Sequence, residues 1–188
     1  MNLLVVDNAL GTSSNEWLRV TAPEGKICVR NGESWSVMVK PRPVTLDHWT
    51  HYLYDAANNP VSKDQDVAPP QFIQWIADPL WLRCHNWNPG FNALVSGGGR
   101  IFYLKDNGPI VVVLLDTKAP VESLPERWHL CARDAFNGLL LWQQPLSAYG
   151  WLDWEETGVK EIYGNWGAPL QLNRRVVITP DGLSLIHI

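Results

Sequence analysis

Two histidines three residues apart, His48 and His51 in HWTH, are the first side chains whose types could do chemistry. With Cys84-His85 downstream and Asp47 and Asp55 alongside, they offer the imidazole, thiolate and carboxylate groups that hold metal ions. An i,i+3 histidine pair converges when a helix carries both rings, and no helical periodicity surrounds this one. Surface or hydrogen-bonded histidines are therefore the favoured reading, and no metal ligand is assigned. A second group is Asp153, Glu155 and Glu156 beside Trp151 and Trp154. Glycoside hydrolysis uses paired carboxylates near aromatic rings, but they must face each other across a cleft, which adjacency along the chain does not provide. A solvated acidic loop is favoured. Ser96-Gly97-Gly98-Gly99 lacks the Lys-Ser/Thr of a phosphate loop and lies between apolar runs, so it reads as a turn. Cys28, Cys84 and Cys131 are far apart, with no CxxC, and read as isolated thiols. No catalytic residue is assigned from these groups.

The elements that must position any site divide the chain into four parts. Residues 1–43 follow an α/β pattern: an apolar run at 3–6, a short helix at 15–20 (NEWLRV), a Pro23-Glu24-Gly25 turn and a strand at 27–30. Residues 44–90 are rich in Pro, Asn, Asp and Trp, and read as an irregular connection pinned by aromatics. One strand is expected there, at 72–76 (FIQWI), after Pro69-Pro70.

Residues 91–182 are β. Runs at 93–95 and 101–104 flank the glycine turn, and runs at 128–133 and 139–142 flank a turn ending in Asn137-Gly138. Asn-Gly favours a hairpin because both residues tolerate positive φ. Asp134 is placed to accept from the turn's N–H groups. An insertion at 105–127 carries a further apolar run at 110–115, and a second apolar-turn-apolar unit follows at 168–172 and 175–179. The last residues, 183–188 (LSLIHI), form an apolar stub after Pro180-Asp181-Gly182.

Composition limits the partners. The 188 residues carry a net charge of −4, which disfavours nucleic acid and anionic membranes. At 46% apolar residues a packed core is expected, yet no run approaches the ~18 residues of a membrane span. The N-terminus lacks the basic region and cleavage site of a signal peptide. Eleven tryptophans are several times ordinary usage. They suit either the packing of repeated sheets or stacking platforms for sugars, and packing is favoured.

The stretch ARDAFNGLLLW resembles the repeat of pyrroloquinoline-quinone-type β-propellers, with its A-x-D-x-x-T/N-G-x-x-x-W pattern. Ala132, Asp134, Asn137, Gly138 and Trp142 fall on that pattern. DHWTHYLYDAANNPVS, PPQFIQW, ALVSGGGRIFY and ARDAFNG resemble, in that order, segments of large bacterial proteins carrying such repeats. The resemblance implies a partial propeller, about one complete blade with pieces of others, preceded by a short α/β remnant. It implies that the five motif residues are structural, with Trp142 docking on an adjacent blade. It also implies a periplasmic or extracytoplasmic location and a non-catalytic binding or assembly scaffold with a protein or carbohydrate partner. The other implied possibility is part of a quinoprotein oxidoreductase, where pyrroloquinoline quinone would sit on the axis of a full propeller. No cofactor is assigned to this chain, which lacks the adjacent cysteine pair often found in such enzymes.

NLLVVD followed by EWLRVTAPEGKICV is similar to the late part of a class I methyltransferase, with Glu24 replacing the first glycine of the usual turn. A methyltransferase fused to a propeller is thus a third possibility, although the glycine-rich S-adenosylmethionine loop is not present in the chain. LSLIHI is similar to the translated reading of a sequencing adapter, which implies a non-native tail and a gene fragment cut at both ends. A lone blade is expected to be marginally stable, because blades bury their faces on neighbours. The 72–76 strand is then expected to leave an exposed edge.

Overall fold

The computed structural model describes residues 1–7, 11–78, 90–108, 127–147, 176–179 and 182–185. The protein is mainly β. Strand β1 (Leu3–Asp7) is followed by helix α1 (Ser14–Val20), β2 (Lys26–Asn31) and β3 (Ser34–Val39). Strands β4 (Phe91–Gly97), β5 (Arg100–Asp106), β6 (Trp128–Asp134) and β7 (Leu140–Pro145) come next, then β8 (Val176–Thr179) and β9 (Gly182–Leu185). No helix among the described residues is long and apolar enough to cross a membrane.

The N-terminal unit is a three-stranded sheet, β1-β2-β3, with β1 parallel and β3 antiparallel to β2. Ser13 caps α1 by accepting from the Glu16 N–H, and Arg19 pairs with Glu16 on its exposed side. Trp17 and Leu18 pack on Val6, Ile27 and Val29, which bury one face of the sheet. The strand-helix-strand expectation is met, and β3 is an addition to it. Glu24 has φ +62°, the left-handed region that favours glycine.

The second sheet is a four-stranded antiparallel meander in the order β4-β5-β6-β7. Two glycines, Gly98 (φ +57°) and Gly99 (φ +70°), make the tight β4–β5 turn, where positive φ at both positions matches the strand twist. Phe102, Leu104, Leu130 and Ala132 alternate on one face with Val95 and Trp128, and Val176, Ile178 and Leu183 of β8 and β9 pack against that face. Val95, Phe102, Ala132 and Trp142 are cross-strand neighbours in one row. Ala132 is fully buried in that row, and the Phe102 and Trp142 rings meet 6.0 Å apart at its flanks. A small side chain is what lets them meet. Ala132→Leu should overpack the row and cost about 1–3 kcal/mol. Urea denaturation checks this, and an unchanged midpoint would mean the row is not close-packed.

One expectation is corrected. Residues 72–76 do not form a strand, and no strand lies in 44–90 among the described residues, where only isolated bridges at Trp49, His51 and Tyr54 occur. Phe72, Ile73 and Ile76 are exposed, while the side chains of Gln74 and Trp75 tie this strap to the β6–β7 turn. The apolar run supplies one anchor, Trp75, in place of a sheet edge. The 110–115 run and the 168–172 run lie outside the described residues. The expected partner of 175–179 is among them, and the described partner of β8 is β9, which begins at Gly182.

Candidate functional site

The motif turn joins β6 to β7. The Asp134 carboxylate accepts from the Phe136 and Asn137 N–H groups at 2.9 and 3.0 Å. Its backbone carbonyl accepts from the Gly138 N–H, and its N–H donates to the Leu139 carbonyl. The Asn137 side chain accepts from the Leu139 N–H. The second Asp134 oxygen accepts from the Asn2 amide at 2.8 Å, which ties the N-terminal unit to the turn. Trp75 lies on Gly138 and donates its indole N–H to the Ala135 carbonyl, while Gln74 donates to the Phe136 carbonyl. Four of the motif residues, Ala132, Asp134, Asn137 and Gly138, are thus engaged within the chain. Trp142 is only partly covered: its ring meets Phe102, yet it is 41% exposed and lines a cleft.

That cleft, about 690 Å³, lies between the β4–β7 face and β8–β9. Trp142, Phe102 and Ile178 give it apolar walls, and His48, Thr50 and Arg100 give it polar groups. Segment 48–50 forms part of its rim because Trp49 pairs with Ser96 of β4, and the Ile178 N–H donates to the Thr50 carbonyl. A flat ring beside hydroxyl, imidazole and guanidinium groups is suited to a polar, ring-containing ligand.

The histidine cluster is not assembled around a cation. The Arg42 guanidinium lies 3.1 Å from both His48 ring nitrogens, and the His51 Nδ1 is taken by the Thr50 hydroxyl. Asp47 instead organises the loop: its carboxylate accepts from the Tyr54 hydroxyl and from the His48 and Lys63 N–H groups. No group of three or more His, Cys, Asp or Glu among the described residues could hold a metal ion. Cys84 and His85 lie outside the described residues, as do Asp153, Glu155 and Glu156 with Trp151 and Trp154.

The Asp47 carboxyl titrates at about 2, below the ordinary 3.8. The Tyr54 hydrogen bond is the main cause; desolvation opposes it and the two N–H groups add to it. The same hydrogen bond, with burial, pushes Tyr54 up to about 12 from 10.0. A lowered carboxyl stabilises the loop above its unfolded pKa, and that contribution fades as pH falls toward the folded value. A raised phenol stabilises below its unfolded pKa and loses this as pH rises toward the folded value. The loop should therefore loosen from about pH 4 down to about pH 2, and again from about pH 10 to about pH 12. The Trp49 indole N–H resonance reports it, since Trp49 stacks edge-on to Tyr54. Asp47→Asn should remove the acid transition, and its persistence would exclude Asp47 as the cause.

Sequence reasoning did not find the opposite face of the meander. Ile101, Tyr103 and Lys105 of β5 alternate there with Cys131 and Arg133 of β6. Arg133 is 3% exposed, and it donates to the Tyr103 hydroxyl (2.6 Å), the Gly138 carbonyl (2.7 Å) and both the carbonyl and carboxylate of Asp78. Burial raises the Tyr103 hydroxyl and the Cys131 thiol above their usual pKa values, so neither is an activated nucleophile at neutral pH. The Arg133 hydrogen bond lowers Asp78. The available signal was the placing of polar Tyr103, Lys105 and Arg133 at alternate positions within otherwise apolar strands. We found no match to the chain among protein-family models, curated proteins or solved structures.

Proposed function

We propose that this chain contributes a blade of a pyrroloquinoline-quinone-type propeller repeat protein, acting as a non-catalytic binding or assembly scaffold outside the cytoplasm. The observation that carries the reading is the use made of the motif aspartate. Asp134 spends its carboxylate on the Phe136, Asn137 and Asn2 donors, which is structural work. A four-stranded meander is the sheet that a propeller blade requires, and Leu141 and Trp142 of β7, with Leu139 just before it, are exposed, where a neighbouring element or partner would cover them. The cleft beside Trp142 is the place for a carbohydrate or a protein loop.

The test is electron transfer. The complete repeat protein that would carry this blade is mixed with pyrroloquinoline quinone, calcium, a panel of alcohols and aldoses, and an artificial dye acceptor. The scaffold reading expects dye reduction at the blank rate. Quinone-dependent reduction would overturn it in favour of a quinoprotein oxidoreductase.

A further inference from the structure

The face of the meander turned away from β8 and β9 encloses a cleft of about 290 Å³. Phe91, Leu94 and Ile101 come from the sheet, and Trp75 and Asp78 come from the strap that crosses it. Phe91 and Tyr103 stack with centroids 5.0 Å apart, giving a flat aromatic wall. Two cations reach this space, Lys105 and Arg133, with residue exposures of 2% and 3%.

Their charges are unequally matched. Arg133 has four hydrogen bonds to protein acceptors, including 2.7 Å to the Asp78 carboxylate. Lys105 has one charged neighbour among the described residues, the same Asp78, at 4.0 Å. That carboxylate is 74% exposed at the mouth, and its short contact goes to Arg133. Among the described residues, two buried cations therefore share one outlying anion. Burying an ammonium without a close partner is expensive, and an anionic ligand group in the cleft would supply the missing charge. A proton, a metal ion or a neutral sugar would not balance it.

We propose that this cleft binds a small aromatic carboxylate of one or two rings, with Lys105 as its anchoring cation. The carboxylate takes up the unmatched positive charge. The apolar body lies against Trp75, Phe91, Leu94 and Ile101. The volume is about twice that of an apolar cavity that holds benzene, which sets the size class. Phosphate and sulfate carry the charge but leave the apolar walls unfilled. A site of this kind needs neither a ring of blades nor a partner chain, and stands whether or not the scaffold reading holds.

The test uses the full chain and four probes by titration calorimetry: benzoate, 2-naphthoate, neutral benzamide and inorganic phosphate. Saturable binding of either aryl carboxylate, with benzamide and phosphate at least about tenfold weaker, is expected, as one charged hydrogen bond is worth about that factor or more. Lys105→Met keeps the buried stem and removes the charge. It should fold, melt no lower than the parent without ligand, and lose at least about tenfold in affinity for the aryl carboxylate. A merely structural Lys105–Asp78 pair would instead lower the melting temperature and leave affinity unchanged. The proposal is overturned if neither aryl carboxylate binds, if benzamide or phosphate matches them, or if Lys105→Met binds as the parent does. Should the variant not fold, the four-probe comparison on the parent chain decides alone.

Discussion

Gly138→Ala should destabilise the protein by about 3 kcal/mol. Two costs add. Gly138 has φ +71°, where an L side chain meets the backbone and loses about 1–2 kcal/mol. An added Cβ would also come within 2.5 Å of two atoms of the Trp75 ring, which must then leave. Leaving breaks the indole bond to the Ala135 carbonyl and exposes the ring, costing roughly 1.5–3 kcal/mol. The lower entropy of the unfolded alanine chain offsets only about 0.4–1 kcal/mol. Urea denaturation measures the total. A double-mutant cycle with Trp75→Ala separates its parts: with the ring gone, the backbone cost alone should remain. Additive losses would show that Trp75 does not sit on this glycine in solution.

The second large effect is expected at Arg133. Arg133→Met keeps most of the buried stem but removes four donated hydrogen bonds. The Gly138 carbonyl and the buried Tyr103 hydroxyl lose their donor, at about 1–3 kcal/mol for each buried group left unsatisfied. Asp78 loses the cation that holds the end of the strap, though as an exposed group it adds little. About 3 kcal/mol in all is expected, together with faster proteolysis between Asn59 and Ala77. Arg133→Lys should not restore the parent, because one ammonium cannot reproduce a planar fork aimed at three residues. Full recovery by lysine would reduce the role of Arg133 to charge.

Much of this arrangement was legible in the chain, for identifiable reasons. The strands around Asn137-Gly138 and Gly98-Gly99 follow from apolar runs set against turn residues, of which Gly98, Gly99 and Gly138 take positive φ while Asn137 does not. The role of Asp134 follows from an acidic side chain two and three residues before the N–H groups it accepts from. Strand β3 was equally marked, since Asn31-Gly32 precedes SWSVMV and Gly32 has φ +62°. Trp35, Val37 and Val39 alternate in it, although all six of its residues are exposed. The strap at 72–78 was misread. Its apolar residues are consecutive, as in a buried strand, yet only Trp75 among its large apolar side chains is held, by a turn sixty residues further on. Local pattern cannot report such a contact. The cleft at Lys105 and Arg133 was missed because charged residues in a strand read as solvent-facing, and the strap that covers them is distant in sequence.

The most direct test of the account is hydrogen exchange on the full chain, resolved to single amides. A structural motif turn requires that the Phe136, Asn137 and Gly138 amides, bonded to Asp134, exchange as slowly as those of β5 and β6. Phe136 and Asn137, bonded to the carboxylate, should lose that protection when Asp134 is replaced by alanine, and Gly138, bonded to the backbone carbonyl, should keep more of its own. Fast exchange at these three amides in the parent chain, beside slow exchange in β5 and β6, would contradict the claim that the motif residues hold the β6–β7 turn in place.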